Sequence, residues 1–151
     1  MSRVQLALNV ADLDASIEFY TKLFQTSPAK VRDNYANFAI ANPPLKLILF
    51  ANAGVPGTLN HIGVEVESTE EVSAVIARTQ AIGMEQDVQE NTSCCFAVQD
   101  KTWIKGPDND WEFYTVLADA PMIRDSATSC CSTAPAETES ATLATTPSAC
   151  C

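Results

Sequence analysis

The chain has 151 residues, about the length of a single domain, and its 46% hydrophobic and 19% charged side chains match a soluble globular protein. Nineteen Asp and Glu against nine Lys and Arg leave a formal charge of −10, which removes the basic footprint expected of a nucleic-acid binder. No apolar run approaches the roughly 18–20 residues that cross a bilayer as a helix, so neither nucleic acid nor membrane is an expected partner.

Taken in chain order, the first pattern is an alternation, with Val4, Leu6, Leu8 and Val10 on one face and Gln5 on the other, which predicts a strand. It begins at once after Met1-Ser2-Arg3, with no apolar signal core, so the cytoplasm is the expected compartment. Leu13, Ile17, Tyr20 and Phe24 then recur at spacings of four, three and four and predict a helix, with Asp12 as its N-cap. Two strands are expected at Tyr35–Ala41 and Leu45–Ala51, on either side of an Asn42-Pro43-Pro44 turn.

The second half repeats the order. His61–Val66 reads as a strand, and Ser68 with Glu71 has capping-box spacing. Val72, Val75, Ile76 and Thr79 form a helical stripe that stops near Gly83. Strands are expected at Glu85–Glu90, Cys95–Gln99, Thr102–Lys105 and Trp111–Leu117, with a Gly106-Pro107-Asp108-Asn109-Asp110 turn before the last. From Ser126 to Cys151 the chain is almost all Ser, Thr, Ala, Pro, Glu and Cys, with Leu143 its only large aliphatic residue. Such a composition cannot bury enough apolar surface to offset ordering entropy and reads as a disordered tail.

The six cysteines form three adjacent pairs, Cys94-Cys95, Cys130-Cys131 and Cys150-Cys151. Neighbouring Cα atoms lie about 3.8 Å apart, below the disulfide range of about 4.4–6.8 Å, so a bond within a pair is strained and readily reduced. In a reducing compartment, vicinal thiols suit a soft metal or metalloid that both sulfurs reach at once. Cys94-Cys95 can converge in this way only in a loop or at an irregular strand entry, because neighbours in a regular strand point to opposite faces.

At an offset of 56, Gln5-x-x-Leu8-x-Val10-x-Asp12 falls on His61-x-x-Val64-x-Val66-x-Ser68, and a helix follows each. The simplest architecture is α+β, with two tandem βαβββ modules at about 1–52 and 57–118 and a tail over 119–151. In this the chain resembles the vicinal oxygen chelate superfamily of glyoxalase I, extradiol dioxygenases and bleomycin-resistance proteins. The resemblance implies a half-open barrel around a divalent metal, with ligands on the first and last strands of each module. Gln5, His61 and Glu112 hold three of those positions. The fourth falls close to Leu47, which cannot bind a metal. The missing carboxylate disfavours four-ligand glyoxalase chemistry, and three ligands with open positions resemble a non-haem Fe(II) site in which Gln5 replaces one His.

Further segments narrow the likeness: Ser2-Arg3-Val4-Gln5-Leu6-Ala7-Leu8-Asn9-Val10, Tyr35–Ala41 followed by Pro43-Pro44-Leu45-Lys46-Leu47, and Leu59-Asn60-His61-Ile62-Gly63-Val64-Glu65-Val66. The Cys94-Cys95 pair, Val98-Gln99-Asp100-Lys101 and Trp111-Glu112-Phe113-Tyr114-Thr115-Val116 complete the set. Together they resemble the carbon–arsenic lyases that act on trivalent organoarsenicals and the related cadmium-induced proteins. That resemblance implies an Fe(II)- and O2-dependent enzyme acting on methylarsonous acid or trivalent aromatic arsenicals and releasing arsenite. It further implies that Gln5, His61 and Glu112 hold the iron and that Cys94 and Cys95 hold arsenic as a dithiolate. Tyr35, Phe38, Phe96, Trp103 and Tyr114 are candidates for the pocket wall or the core. Cys130, Cys131, Cys150 and Cys151 are expected to capture soft species and pass them to Cys94-Cys95. Two other readings stand beside the lyase: a cadmium- or arsenite-binding protein without turnover, and another extradiol-type dioxygenase. Paired modules assemble within one chain or by exchange between chains, so a homodimer is among the expected assemblies.

Overall fold

The computed structural model describes residues 1–121. The expectations for the Ser/Thr/Ala-rich tail, with Cys130, Cys131, Cys150 and Cys151, fall outside the described residues. The first half runs β1 (Arg3–Val10), α1 (Leu13–Phe24), β2 (Lys30–Arg32), β3 (Tyr35–Ile40) and β4 (Leu45–Ala51). The second runs β5 (Leu59–Glu65), α2 (Thr69–Ala81), β6 (Gln86–Cys94), β7 (Ala97–Ile104) and β8 (Trp111–Asp119). Each half is a βαβββ module. Among the described residues no helix is long and apolar enough to cross a membrane.

The helices start where the sequence caps them. The Asp12 carboxylate accepts from the Ala15 N–H at 2.9 Å, and the Ser68 hydroxyl accepts from the Glu71 N–H at 3.4 Å. Each interaction satisfies one of the amide donors left over in a first helical turn.

All eight strands form one open sheet in the order β2-β3-β4-β1-β5-β8-β7-β6. The order has an internal symmetry: β1 lies parallel to β4, β5 lies parallel to β8, and β1 and β5 meet antiparallel at the seam between modules. Residues opposite one another across that seam exchange under the 56-residue offset, with Gln5 facing Gly63 and Ala7 facing His61.

Alternation along β1 separates two faces. Leu6, Leu8 and Val10 pack with Leu13, Ile17, Tyr20 and Phe24 of α1 over buried Ala36, Phe38, Ile40, Leu47 and Leu49. On the opposite face Ala7 packs with Tyr35, Ile48, Phe50 and Cys94, and Gln5 and Asn9 are buried. The apolar face holds the helix, and the mixed face is left for chemistry.

Two elements differ from the expectation. β2 is a three-residue Lys-Val-Arg strand with no apolar signature of its own, formed by pairing with Asn37, Ala36 and Tyr35 of β3. β7 is one continuous strand where two were expected. Asp100-Lys101 breaks its apolar pattern, yet Lys101 is buried and paired with a carboxylate.

Candidate metal and thiol site

Gln5 on β1, His61 on β5 and Glu112 on β8 come from three adjacent strands, and their side chains converge on the mixed face. The Gln5 Nε2 amide lies 2.9 Å from His61 Nε2 and donates to Glu112 Oε2 at 2.9 Å. His61 Nε2 and Glu112 Oε2 are 3.6 Å apart. All three residues are buried, at 2%, 7% and 3% exposure. Gly63 makes this approach possible: it pairs with Glu112 in register, and a Cβ there would stand 2.6 Å from the Glu112 carbonyl oxygen.

The position equivalent to Glu112 in the first module is Ile48. Under the 56-residue offset Ala7 corresponds to Gly63, and Ala7 pairs with Ile48 as Gly63 pairs with Glu112. Leu47, the residue expected there, points to the helix face. The conclusion that this position carries no ligand is unchanged, and the residue moves by one place because a strand alternates faces at each step.

Electrostatics favour a neutral imidazole beside a buried carboxyl. Burial, aided by the Lys101 ammonium, lowers the His61 pKa to about 4, so the ring is neutral at pH 7. His61 Nδ1 lies 2.7 Å from Asn60 Oδ1. That oxygen can only accept, so Nδ1 carries the proton and Nε2 presents its lone pair to the cluster. Burial pushes the Glu112 carboxyl above its ordinary range, against the pull of Lys101. Lys101 Nζ donates to Glu112 Oε1 at 3.2 Å.

This donor set fits a divalent cation. An imidazole lone pair and a carboxylate each lie 2.9 Å from one amide in a buried site, and the imidazole has the outer hydrogen bond typical of a metal-bound His. Among the described residues no three His, Cys, Asp or Glu gather as a metal group, so the set depends on the Gln5 amide. That amide turns its nitrogen toward His61 and Glu112 and its oxygen toward Tyr114, whose hydroxyl donates to Gln5 Oε1. A half-turn of the amide would exchange the two ends. A phenol accepts as readily as it donates, so Tyr114 can serve either orientation.

Cys94 ends β6, and Cys95-Phe96 form the two-residue turn into β7, with Cys94 pairing Ala97. The two sulfurs are 3.2 Å apart, too far for an S–S bond of about 2.05 Å and close enough for both to reach one atom. The irregular backbone needed for convergence is present, since Cys95 and Phe96 have φ of 52° and 65°. Cys94 packs in the cluster of Ala7, Tyr35, Ile48 and Phe50, and the Phe50 ring lies 6.2 Å from that of His61. One cavity of about 190 Å³ is lined by Gln5, His61, Glu112 and Cys95 together with Tyr35 and Gln99. Its volume exceeds the roughly 150 Å³ that suffices for a benzene-sized guest.

Of the aromatic candidates, Tyr35 lines the cavity, Phe38 borders it with its ring turned to Tyr20 in the core under α1, and Phe96 packs on Tyr35 with ring centroids 5.2 Å apart. Trp103 lies edge-on to His61 at 5.6 Å, and Tyr114 holds Gln5. Lys101 and Asn60 lie in segments that carry the resemblance, but the sequence pattern assigns neither a role. Lys101 is legible only once β7 is read as unbroken, which puts Ala97, Gln99, Lys101 and Trp103 on one face. Asn60 could have been found as the polar neighbour of the chain's single histidine.

Comparison with known proteins agrees with this architecture. The chain is 59% identical over 121 residues to the cadmium-induced protein CadI of Mycobacterium tuberculosis, covering 80% of each chain. It is 53% identical over 135 residues to the trivalent organoarsenical cleaving enzyme of Thermomonospora curvata, covering 88% of this chain and 89% of that one. Among solved structures, the Mn(II)-bound glyoxalase from Novosphingobium aromaticivorans superposes with a TM-score of 0.55 at 19% identity, covering 82% of this chain and 44% of that one. The family model of the Glyoxalase/Bleomycin resistance protein/Dioxygenase superfamily matches residues 3–113. With two βαβββ modules meeting at an antiparallel seam, the chain belongs to that superfamily, the vicinal oxygen chelate fold, and its homologues include CadI and the trivalent organoarsenical cleaving enzymes.

Proposed function

We propose that the protein is an Fe(II)- and O2-dependent carbon–arsenic lyase of the cytoplasm that cleaves trivalent organoarsenicals to arsenite. The observation that carries this reading is the cavity that joins the Gln5–His61–Glu112 cluster to the thiol turn, in a chain 53% identical to a named organoarsenical cleaving enzyme. Gln5, His61 and Glu112 hold the metal, and Cys94 and Cys95 hold arsenic. When bound, Fe(II) supplies open positions for activating O2. The domain that does this ends with β8, and the tail pairs Cys130-Cys131 and Cys150-Cys151 raise the local concentration of soft species.

The chain's own part begins with exchange at arsenic. The two thiols displace two hydroxyl groups of R–As(OH)2 as water, forming two As–S bonds with no change in oxidation state. Chelation by both sulfurs fixes arsenic and leaves the As–C bond little freedom, so proximity is the main contribution of the protein. Tyr35 shields the organic group from water. Methylarsonous acid plus O2 contains the atoms of arsenous acid plus formaldehyde, so the reaction balances with O2 as the sole oxidant.

A second reading, sequestration of cadmium or arsenite without turnover, is favoured by the 59% identity to a protein named cadmium-induced. Anaerobic loading with Fe(II), followed by methylarsonous acid and then air, separates the two. Arsenite released only when both iron and O2 are present supports the lyase, and binding without release supports sequestration. Glu112→Ala is expected to abolish iron binding and release. Cys94→Ser or Cys95→Ser is expected to lower release at least a hundredfold with iron retained.

A further inference from the structure

The thiol turn is an expensive conformation for its residues. A two-residue hairpin turn with both φ values positive normally uses Asn-Gly, whereas here the positions are Cys95 and Phe96, at 52° and 65°. Left-handed backbone is sterically disfavoured for an ordinary L-residue and persists where surrounding contacts hold it. Those contacts come largely from the other module. Lys30 Nζ donates to the Phe96 carbonyl at 3.1 Å and also to the Asp119 carboxylate. The Arg32 guanidinium carbon lies 5.6 Å from the centre of the Phe96 ring, and Tyr35 packs on that ring from β3. The Ala120 N–H, just past β8, donates to the same Phe96 carbonyl at 3.1 Å. Lys30 and Arg32 belong to β2, at one end of the sheet order, while the turn joins β6 and β7 at the other end. The sheet therefore curls until its first edge reaches the thiol turn.

We infer that Lys30 and Arg32 are positioning residues for arsenic capture, clasping the Cys95-Phe96 turn so that the two thiols meet arsenic already converged. The inference rests on the reading of Cys94 and Cys95 as the arsenic-binding pair. Preorganisation enters at the second As–S bond. A clasped turn closes the chelate without first ordering its backbone, whereas a released turn must lose that freedom on binding. A ligand that takes only one thiol gains nothing from the clasp.

The test uses the full chain carrying Cys130→Ser, Cys131→Ser, Cys150→Ser and Cys151→Ser, so that one vicinal pair remains, titrated with phenylarsine oxide against a competing small dithiol. Lys30→Met is expected to weaken binding at least tenfold and to speed dissociation. Arg32→Leu should weaken it three- to tenfold, and Lys30→Arg should stay within threefold of the parent. Methylmercury, which takes a single thiolate, and Mn(II) should bind Lys30→Met within twofold of the parent. Parent-like phenylarsine oxide affinity in Lys30→Met, with binding lost in Cys94→Ser, would overturn the clasp alone. Binding that survives both Cys94→Ser and Cys95→Ser would overturn the arsenic reading and the clasp with it. Loss of methylmercury or Mn(II) binding in step with phenylarsine oxide would overturn the clasp in favour of general unfolding.

Discussion

The Tyr114 hydroxyl donates to Gln5 Oε1 from the strand that also carries Glu112, so one strand supplies both the carboxylate of the cluster and a hydrogen-bond partner for its amide. Both residues are buried, and the same Gln5 amide donates to His61 and Glu112 through its nitrogen.

Tyr114→Phe removes that partner and strands a buried amide oxygen, at a cost of about 1–3 kcal/mol. Denaturant melts of the metal-free variant should show a stability loss in this range. Because the hydroxyl serves either orientation of the amide, Mn(II) affinity by calorimetry should change less than tenfold. A metal affinity that collapses while stability is unchanged would assign Tyr114 a different part.

Gly63 tests the register itself. In Gly63→Ala the new methyl would meet the Glu112 carbonyl oxygen at 2.6 Å, and backbone cannot yield as a side-chain tip can. The variant is expected to lose about 1–3 kcal/mol of stability and to bind Mn(II) at least tenfold more weakly, because Glu112 shifts with its strand. Calorimetry on the folded variant reads both effects.

The sequence carries much of this architecture, and its failures have identifiable causes. Both helices, their caps and the first and last strand of each module follow from alternation, helical spacing and the 56-residue repeat. β2 escapes because Lys30-Val31-Arg32 has no periodicity: it is a strand only through its partner. The break placed in β7 comes from Asp100-Lys101, two charged residues that look like a loop until the Glu112 carboxylate appears opposite. Gln5, His61 and Glu112 were legible through the repeat and a family resemblance. Lys30, Asn60 and Lys101 act through contacts that no local pattern encodes.

Lys101→Met should expose the dependence of Glu112 on its neighbour. The pair is fully buried at 3.2 Å, and removing one member of such a pair costs about 3–5 kcal/mol, much of it the penalty of a stranded charge. Uptake of a proton by Glu112 should bring the measured loss to the lower end of that range. The double variant Lys101→Met/Glu112→Gln should be more stable than Lys101→Met alone. Additive losses across this cycle would mean that the two groups do not interact.

Glu65 gives a pH dependence away from the cluster. Burial raises its carboxyl pKa, but hydrogen bonding and charge from Arg3 and Lys46 outweigh burial and hold the group below its ordinary range. A carboxyl depressed in the folded state contributes stability above its unfolded pKa and loses it as pH falls through the folded value. Glu65→Gln should therefore be less stable than the parent at pH 7, and the gap should narrow from about pH 4.5 downward. Melting temperatures taken from pH 7 to pH 3 read this directly, and a constant gap would exclude the ion pairs as its source.

Gln5 and His61 stand on neighbouring strands that belong to different modules. An ion gripped by both would act as a rivet through the seam, tying two separately wound halves along the ladder that they share among the described residues. Occupancy would then register as mechanical integrity. Loaded protein should resist proteolysis and urea as a single body, with the gain set by ion concentration over affinity, whereas stripped protein should part first between β1 and β5. Protein short of the ion would be the looser molecule.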